Sequence, residues 1–117
     1  MGRWVDVGAA VEFGEGTMRA VTVEGSELLV VRLGDTYYAA AGRCPHMGGR
    51  LPDGKLDGTI VTCPRHGSRF DLTDGHVVRW TDWSGITLTL AKTIKSPRPL
   101  KTYATQVQAD RVLVDVE

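Results

Sequence analysis

Cys44-Pro45-His46 and Cys63-Pro64-Arg65-His66-Gly67-Ser68-Arg69-Phe70-Asp71, with 16 residues between His46 and Cys63, are the stretches that decide how this chain is read. Each pairs one thiol with one imidazole two or three residues on, so a tight loop can aim both side chains at one point. Thiolate and imidazole are ligands for soft and borderline metals. Pro45 and Pro64 fix their own φ and stiffen the loops. Gly48, Gly49 and Gly67 allow positive φ and close backbone approach, so that backbone N–H groups can reach whatever the loops hold.

Outward from these loops the pattern is β. Toward the N-terminus, residues 4–7, 18–23, 28–33 and 36–40 read as strands, punctuated by Glu24-Gly25 and Gly34-Asp35. Residues 9–13 suit a single short helical turn. Residues 59–62 form a strand running straight into Cys63. Asp74-Gly75 reads as a hairpin turn between Phe70-Asp71-Leu72 and Val77-Val78. Residues 86–90, 103–107 and 111–116 complete the strands, with Ala109-Asp110 as the last turn. No segment carries an amphipathic helix of three turns. The expectation is an all-β antiparallel sandwich or barrel, with a two-loop ligand region over about 42–75 inserted in mid-chain and an extended loop over about 79–98.

The bulk numbers narrow the function. A chain of 117 residues suits a single domain over 1–117. Its 14 basic and 14 acidic residues balance, which argues against a generic nucleic-acid binder or a polybasic membrane anchor. No apolar run reaches the roughly 20 residues of a membrane span. The start has no signal-peptide core, and Asp6 stands where a myristoylation motif wants Ser or Thr. A cytoplasmic protein is expected, where Cys44 and Cys63 are poorly placed to form a disulfide.

Two metal chemistries fit two cysteines and two histidines. One is a tetrahedral zinc site stabilising a binding module. Zinc fingers normally take both cysteines from one segment and both histidines from another. Here each loop gives one of each, which suits an iron–sulfur cluster with both cysteines on one iron and both histidines on the other.

The motif strongly resembles the Rieske family, from Cys44-Pro45-His46 through Cys63-Pro64-Arg65-His66-Gly67-Ser68-Arg69-Phe70-Asp71. Leu51-Pro52-Asp53-Gly54, Gly58-Thr59-Ile60-Val61-Thr62, Thr73-Asp74-Gly75, Pro99-Leu100-Lys101-Thr102-Tyr103 and the closing 111–116 extend the resemblance over nearly the whole chain. It implies one 2Fe–2S cluster per chain, with Cys44 and Cys63 on the inner iron and His46 and His66 on the outer. It implies a one-electron carrier, without catalysis of its own, between a reductase and an oxygenase. A Rieske subunit of a larger, nitrite-reductase-like oxidoreductase is the alternative within the family.

High-potential Rieske proteins carry an extra Cys in each loop; Gly49 and Arg65 stand there in this chain, which places it with the ferredoxins. Ser68 stands where that class donates a hydroxyl hydrogen bond to a cluster sulfur, and Phe70 replaces a second donor, Tyr. The resemblance therefore implies a potential near the low end of about −150 to +300 mV, falling at alkaline pH as a ligand histidine loses its proton. Arg43, Arg50, Arg65 and Arg69 are expected to form a basic collar facing an acidic partner. His76 is expected on the surface. No second spare His exists for a mononuclear iron site, and no glycine-rich dinucleotide motif is present. Trp80, Trp83 and the alternating residues 86–90 read as an added hairpin, with Pro97 and Pro99 as candidates for a cluster-shielding loop.

Overall fold

The computed structural model describes residues 2–45, 49–64, 67–79 and 99–116. Their strands are β1 (Trp4–Ala9), β2 (Met18–Val23), β3 (Ser26–Leu33), β4 (Thr36–Ala41), β5 (Lys55–Asp57), β6 (Ile60–Thr62), β7 (Arg69–Asp71), β8 (Val77–Arg79), β9 (Thr102–Tyr103), β10 (Thr105–Gln108) and β11 (Arg111–Asp115). The expected helical turn is a 3-10 turn at Ala10–Glu12, and another follows at Leu51–Asp53. None of the described residues is in an α-helix, so the all-β reading holds.

Three antiparallel sheets form, ordered β1-β11-β10, β2-β3-β4-β9 and β5-β6-β7-β8. The second lies between the other two, and β3 shows why. Leu28 and Val30 pack with Phe13, Val112 and Val114 beside the first sheet. Leu29 and Val31 point the other way, into a cluster with Val61 and Phe70 of the third sheet. A strand buried on both faces cannot alternate apolar with polar, hence the continuous Leu28-Leu29-Val30-Val31. Each such side chain gains about 1.5–3 kcal/mol by burial. Ala39 and Ala40 divide between the same two clusters.

The third sheet has one clean core face. Leu56 pairs with Val61, Val61 with Phe70 and Phe70 with Val77, so one rung of four apolar side chains faces the middle sheet. Period-2 alternation then sends the flanking residues of β5, β6 and β7 to the outside, and a bulge interrupts it on β8 between Val77 and Arg79.

Two expectations about elements need correction, and one strand is additional. Residues 103–107 are not one strand. Tyr103 pairs with Ala39 in the second sheet, Thr105 with Val114 in the first, and the chain changes sheet at Ala104, whose carbonyl accepts from Asp115 N–H at 2.9 Å. The hairpin at Asp74-Gly75 exists, but its turn is wider than two residues. Phe70 pairs with Val77, and the Asp71 carbonyl accepts from Gly75 N–H at 2.6 Å. Strand β5 was not anticipated, because a three-residue strand with one apolar residue gives almost no periodic signal. The Asp57-Gly58 dipeptide was the available cue, and Gly58 has φ 57°. Residues 86–90, Trp80, Trp83 and Pro97 lie outside the described residues; Pro99 is exposed.

The last turn, between β10 and β11, holds Ala109 at φ 48° and Asp110 at φ 64°. Alanine is poorly suited to left-handed backbone, where asparagine is tolerated. Ala109→Asn is expected to stabilise the fold by about 0.5 kcal/mol, read as a small rise in Tm.

Candidate metal centre

Both cysteines sit at the base of a hairpin tip, and the two tips are closed the same way. In the first, Arg43 and Arg50 form an antiparallel bridge, and Cys44 N–H donates to the Gly49 carbonyl at 2.8 Å. In the second, Thr62 pairs with Arg69, and Cys63 N–H donates to the Ser68 carbonyl at 2.8 Å. Each thiol residue thus bonds the residue five positions on, with the histidine of its motif between them in sequence.

The two tips come together through the core. Cys44 is 3% exposed and Cys63 2%, and both belong to the cluster that holds Leu29, Leu51, Phe70 and Leu100. Neither is in a disulfide. The sequence-read ligands Cys44 and Cys63 are therefore brought into one apolar cluster. His46 and His66, with Met47, Gly48 and Arg65, lie outside the described residues.

Local structure explains several neighbours. Gly67 has φ 70°, and its N–H returns to the Cys63 carbonyl at 3.2 Å, so the second tip turns as expected through a left-handed glycine. Gly49 does not use that freedom and is not left-handed. It is paired in the neck of the loop, where its carbonyl receives the Cys44 N–H. Ser68, fully buried, is the polar side chain of the described core, placed next to the neck of the second tip.

The expected basic collar is only partly present. Arg50 is not an available cation. Its Nε and Nη2 clamp both carboxylate oxygens of Glu27 at 2.9 Å, and its Nη1 reaches Asp53 at 2.7 Å. The Arg50 hydrogen bonds hold the Glu27 carboxyl below the usual carboxylate range, and Glu27 and Asp53 raise Arg50. This clamp ties the first tip to the start of β3. Arg43 and Arg69 are exposed, and Arg65 lies outside the described residues. Sequence reasoning missed Arg79, whose Nε donates to the Gly67 carbonyl at 3.0 Å and braces the second tip from β8. No short motif links residues 12 apart, so only the β7–β8 pairing reveals it.

His76 is exposed as expected, with Nδ1 2.5 Å from the Asp74 carboxylate. The turn around it is held by two carboxylates. Asp71 lies below its ordinary pKa because Thr73 donates its N–H at 2.9 Å and its hydroxyl at 2.7 Å. Asp74 is lowered by the His76 N–H at 3.0 Å and then by the His76 side chain. A carboxyl lowered by folding stabilises the protein above its unfolded pKa of about 4, and this contribution is lost as pH falls through the folded value. Unfolding midpoints in urea are therefore expected to be level from pH 7 to 5 and to fall below about pH 4. Asp71→Asn is expected to lower the pH 7 midpoint and flatten the acid limb; an acid limb unchanged in that variant would contradict the assignment.

The residues fit an iron–sulfur cluster. Two thiols shielded from water, in matched loops and not in a disulfide, are what thiolate ligation of an inner iron requires. The sequence pattern of the Rieske [2Fe–2S] domain matches residues 3–103. The chain belongs to the Rieske [2Fe–2S] domain family, and its cofactor is a 2Fe–2S cluster. The ferredoxin component of a naphthalene 1,2-dioxygenase system of Pseudomonas aeruginosa is 32% identical over 114 residues, covering 97% of this chain and 96% of its own. The ferredoxin of carbazole 1,9a-dioxygenase from Nocardioides aromaticivorans IC177 superposes with TM-score 0.79 at 26% identity, over 97% of this chain and 98% of that one. A chain from the complex of reduced oxygenase and oxidized ferredoxin in carbazole 1,9a-dioxygenase gives TM-score 0.77 at 30% identity, over 97% and 94%. No described helix is long and apolar enough to cross a membrane.

Proposed function

We propose that this chain is a one-electron carrier that takes electrons from a reductase and delivers them to the oxygenase component of an aromatic-ring dioxygenase system in the cytoplasm. Cys44, Cys63, His46 and His66 are its ligands, and residues 1–117 are one domain. The observation that carries the reading is the pair of matched loop necks whose cysteines are shielded from water, in a chain whose relatives of equal length are ferredoxin components.

When bound, the cluster accepts and releases one electron. The chain's own part is to exclude water from the thiols and to fix both loops by backbone bonds. The family match disfavours the zinc module, and full-length relatives that are ferredoxin components disfavour a fixed subunit of a larger oxidoreductase.

Anaerobic purification with metal analysis tests this. About two irons and two sulfides per chain are expected, with an EPR signal that appears on one-electron reduction. Stoichiometric zinc, or isolation only as part of a large complex, would overturn the proposal.

Ser68, buried beside the second loop at the position where the resemblance implies a hydroxyl donor, is a candidate for tuning the potential. Its hydroxyl is expected to bond the cluster more strongly when reduced, by about 1 kcal/mol, which is roughly 40 mV for one electron. Ser68→Ala should lower the midpoint by about that amount. A midpoint unchanged by spectroelectrochemical titration would remove Ser68 from this role.

A further inference from the structure

The strand register of the third sheet brings together three cations that are scattered in sequence. Lys55 pairs with Thr62, Thr62 with Arg69, and Arg69 with Arg79. Lys55 and Arg69 lie on one face across Thr62. The β7–β8 pairing bulges between Arg69–Arg79 and Phe70–Val77, and this break in alternation lets Arg79, two residues beyond Val77, join them in the same groove. The next rung, Leu56-Val61-Phe70-Val77, faces the core, so Lys55 and Arg69 face outward, and all three cations are exposed.

Arg69 directly opposite Arg79 is a like-charge pair, which costs stability. Nothing among the described residues neutralises it: none of the three cations has an ion pair there, and Arg79 spends one N–H on the Gly67 carbonyl. They line a shallow groove together with Cys63, Pro64 and Gly67, so the charge stands beside the second ligand loop. Two carboxylates also line this groove. Asp53 is held by Arg50, which leaves Asp57 against three cations.

We propose that the Lys55–Arg69–Arg79 cluster is the docking surface through which this protein receives the acidic face of a redox partner. The inference rests on the carrier reading and adds the surface and the sign of its charge. Arg69 belonged to the collar expected from sequence; Lys55 and Arg79 enter only through the register. The chain's formal net charge is zero. Any strong dependence of electron transfer on salt and on the sign of the reactant therefore reports a local patch and not the whole molecule.

The test uses the holoprotein, reduced and freed of reductant, mixed in stopped flow with ferricyanide as anionic probe or hexaammineruthenium(III) as cationic probe. Each probe takes one electron from the reduced protein. With ferricyanide the rate is expected to fall about tenfold from 0.01 M to above 0.5 M ionic strength. K55Q/R69Q, which leaves the Arg79 brace intact, should lower the low-salt rate several-fold, flatten the salt dependence and converge with the parent at high salt. With hexaammineruthenium(III) the same variant should react faster at low salt. Its reduction potential and visible spectrum should match the parent, which separates lost docking from a disturbed cluster. Equal low-salt ferricyanide rates in parent and variant, or slowing by both probes alike, overturn the proposal while the carrier reading stands. A protein with no reducible iron takes both down.

Discussion

Cys63→Ser is expected to yield a colourless protein with almost no iron, no EPR signal after reduction and a Tm lower by at least about 10 °C. A serine hydroxyl does not supply the thiolate that an iron of this kind binds. The substitution also leaves a polar hydroxyl where the thiol lies buried among Leu51, Phe70 and Leu100, costing about 1–3 kcal/mol if unsatisfied. The remaining loss comes from linkage: a group that binds only the folded chain adds its binding free energy to folding. Cys44→Ser should behave alike, because its loop is closed by the same kind of bond. His46→Asn and His66→Asn should also lose the cluster. Val11→Ser, at a residue 89% exposed, should change neither iron content nor Tm. Full iron content in Cys63→Ser would refute the ligand assignment.

Gly75→Ala is expected to destabilise the fold by about 3 kcal/mol or more, a fall in Tm of roughly 10–15 °C. Two costs combine. Gly75 has φ 82°, in the left-handed region, worth about 1–2 kcal/mol for a residue with a Cβ. An added Cβ would also overlap the Leu100 carbonyl, which is backbone and cannot swing aside. Leu100 N–H in turn donates to the Gly75 carbonyl at 2.8 Å. This contact fastens the turn after β7 to a residue whose side chain packs in the cluster with both cysteines. Gly25 provides the control: it has the same φ of 82°, and an added Cβ there meets nothing within 4 Å. Gly25→Ala should cost only the backbone term, about 1–2 kcal/mol. Thermal unfolding followed by circular dichroism reads both. Equal losses at the two sites would show that the approach to Leu100 contributes nothing.

Fold class and chemistry were legible because they are local. Alternation in Trp4–Val7 and Arg111–Val116 needs only a period of two. The turns at Glu24-Gly25 and Gly34-Asp35 need only residues suited to positive φ, and φ is positive at Glu24, Gly25 and Gly34. Cys44, His46, Cys63 and His66 stand out as candidate ligands because their types and spacing restrict the chemistry without reference to the rest of the chain.

What depended on distant partners was not legible. That Leu28–Val31 is buried on both faces follows from a sheet on each side, which no window of sequence contains. The break at Ala104 arises because Tyr103 and Thr105 join different sheets. Arg50 looked like a free surface cation until the fold set Glu27 against it, 23 positions away. Conversely, nothing in the sequence joins Lys55 and Arg79 to Arg69; the pairing of β5 to β8 brings the three to one groove. Sequence determined which atoms could hold the metal and that β-structure would carry them, since ligand chemistry and backbone propensity belong to individual residues and their neighbours. Tertiary structure alone decided which charges cancel and which accumulate, because Coulomb interactions depend on distance in space and the chain sets that only by folding.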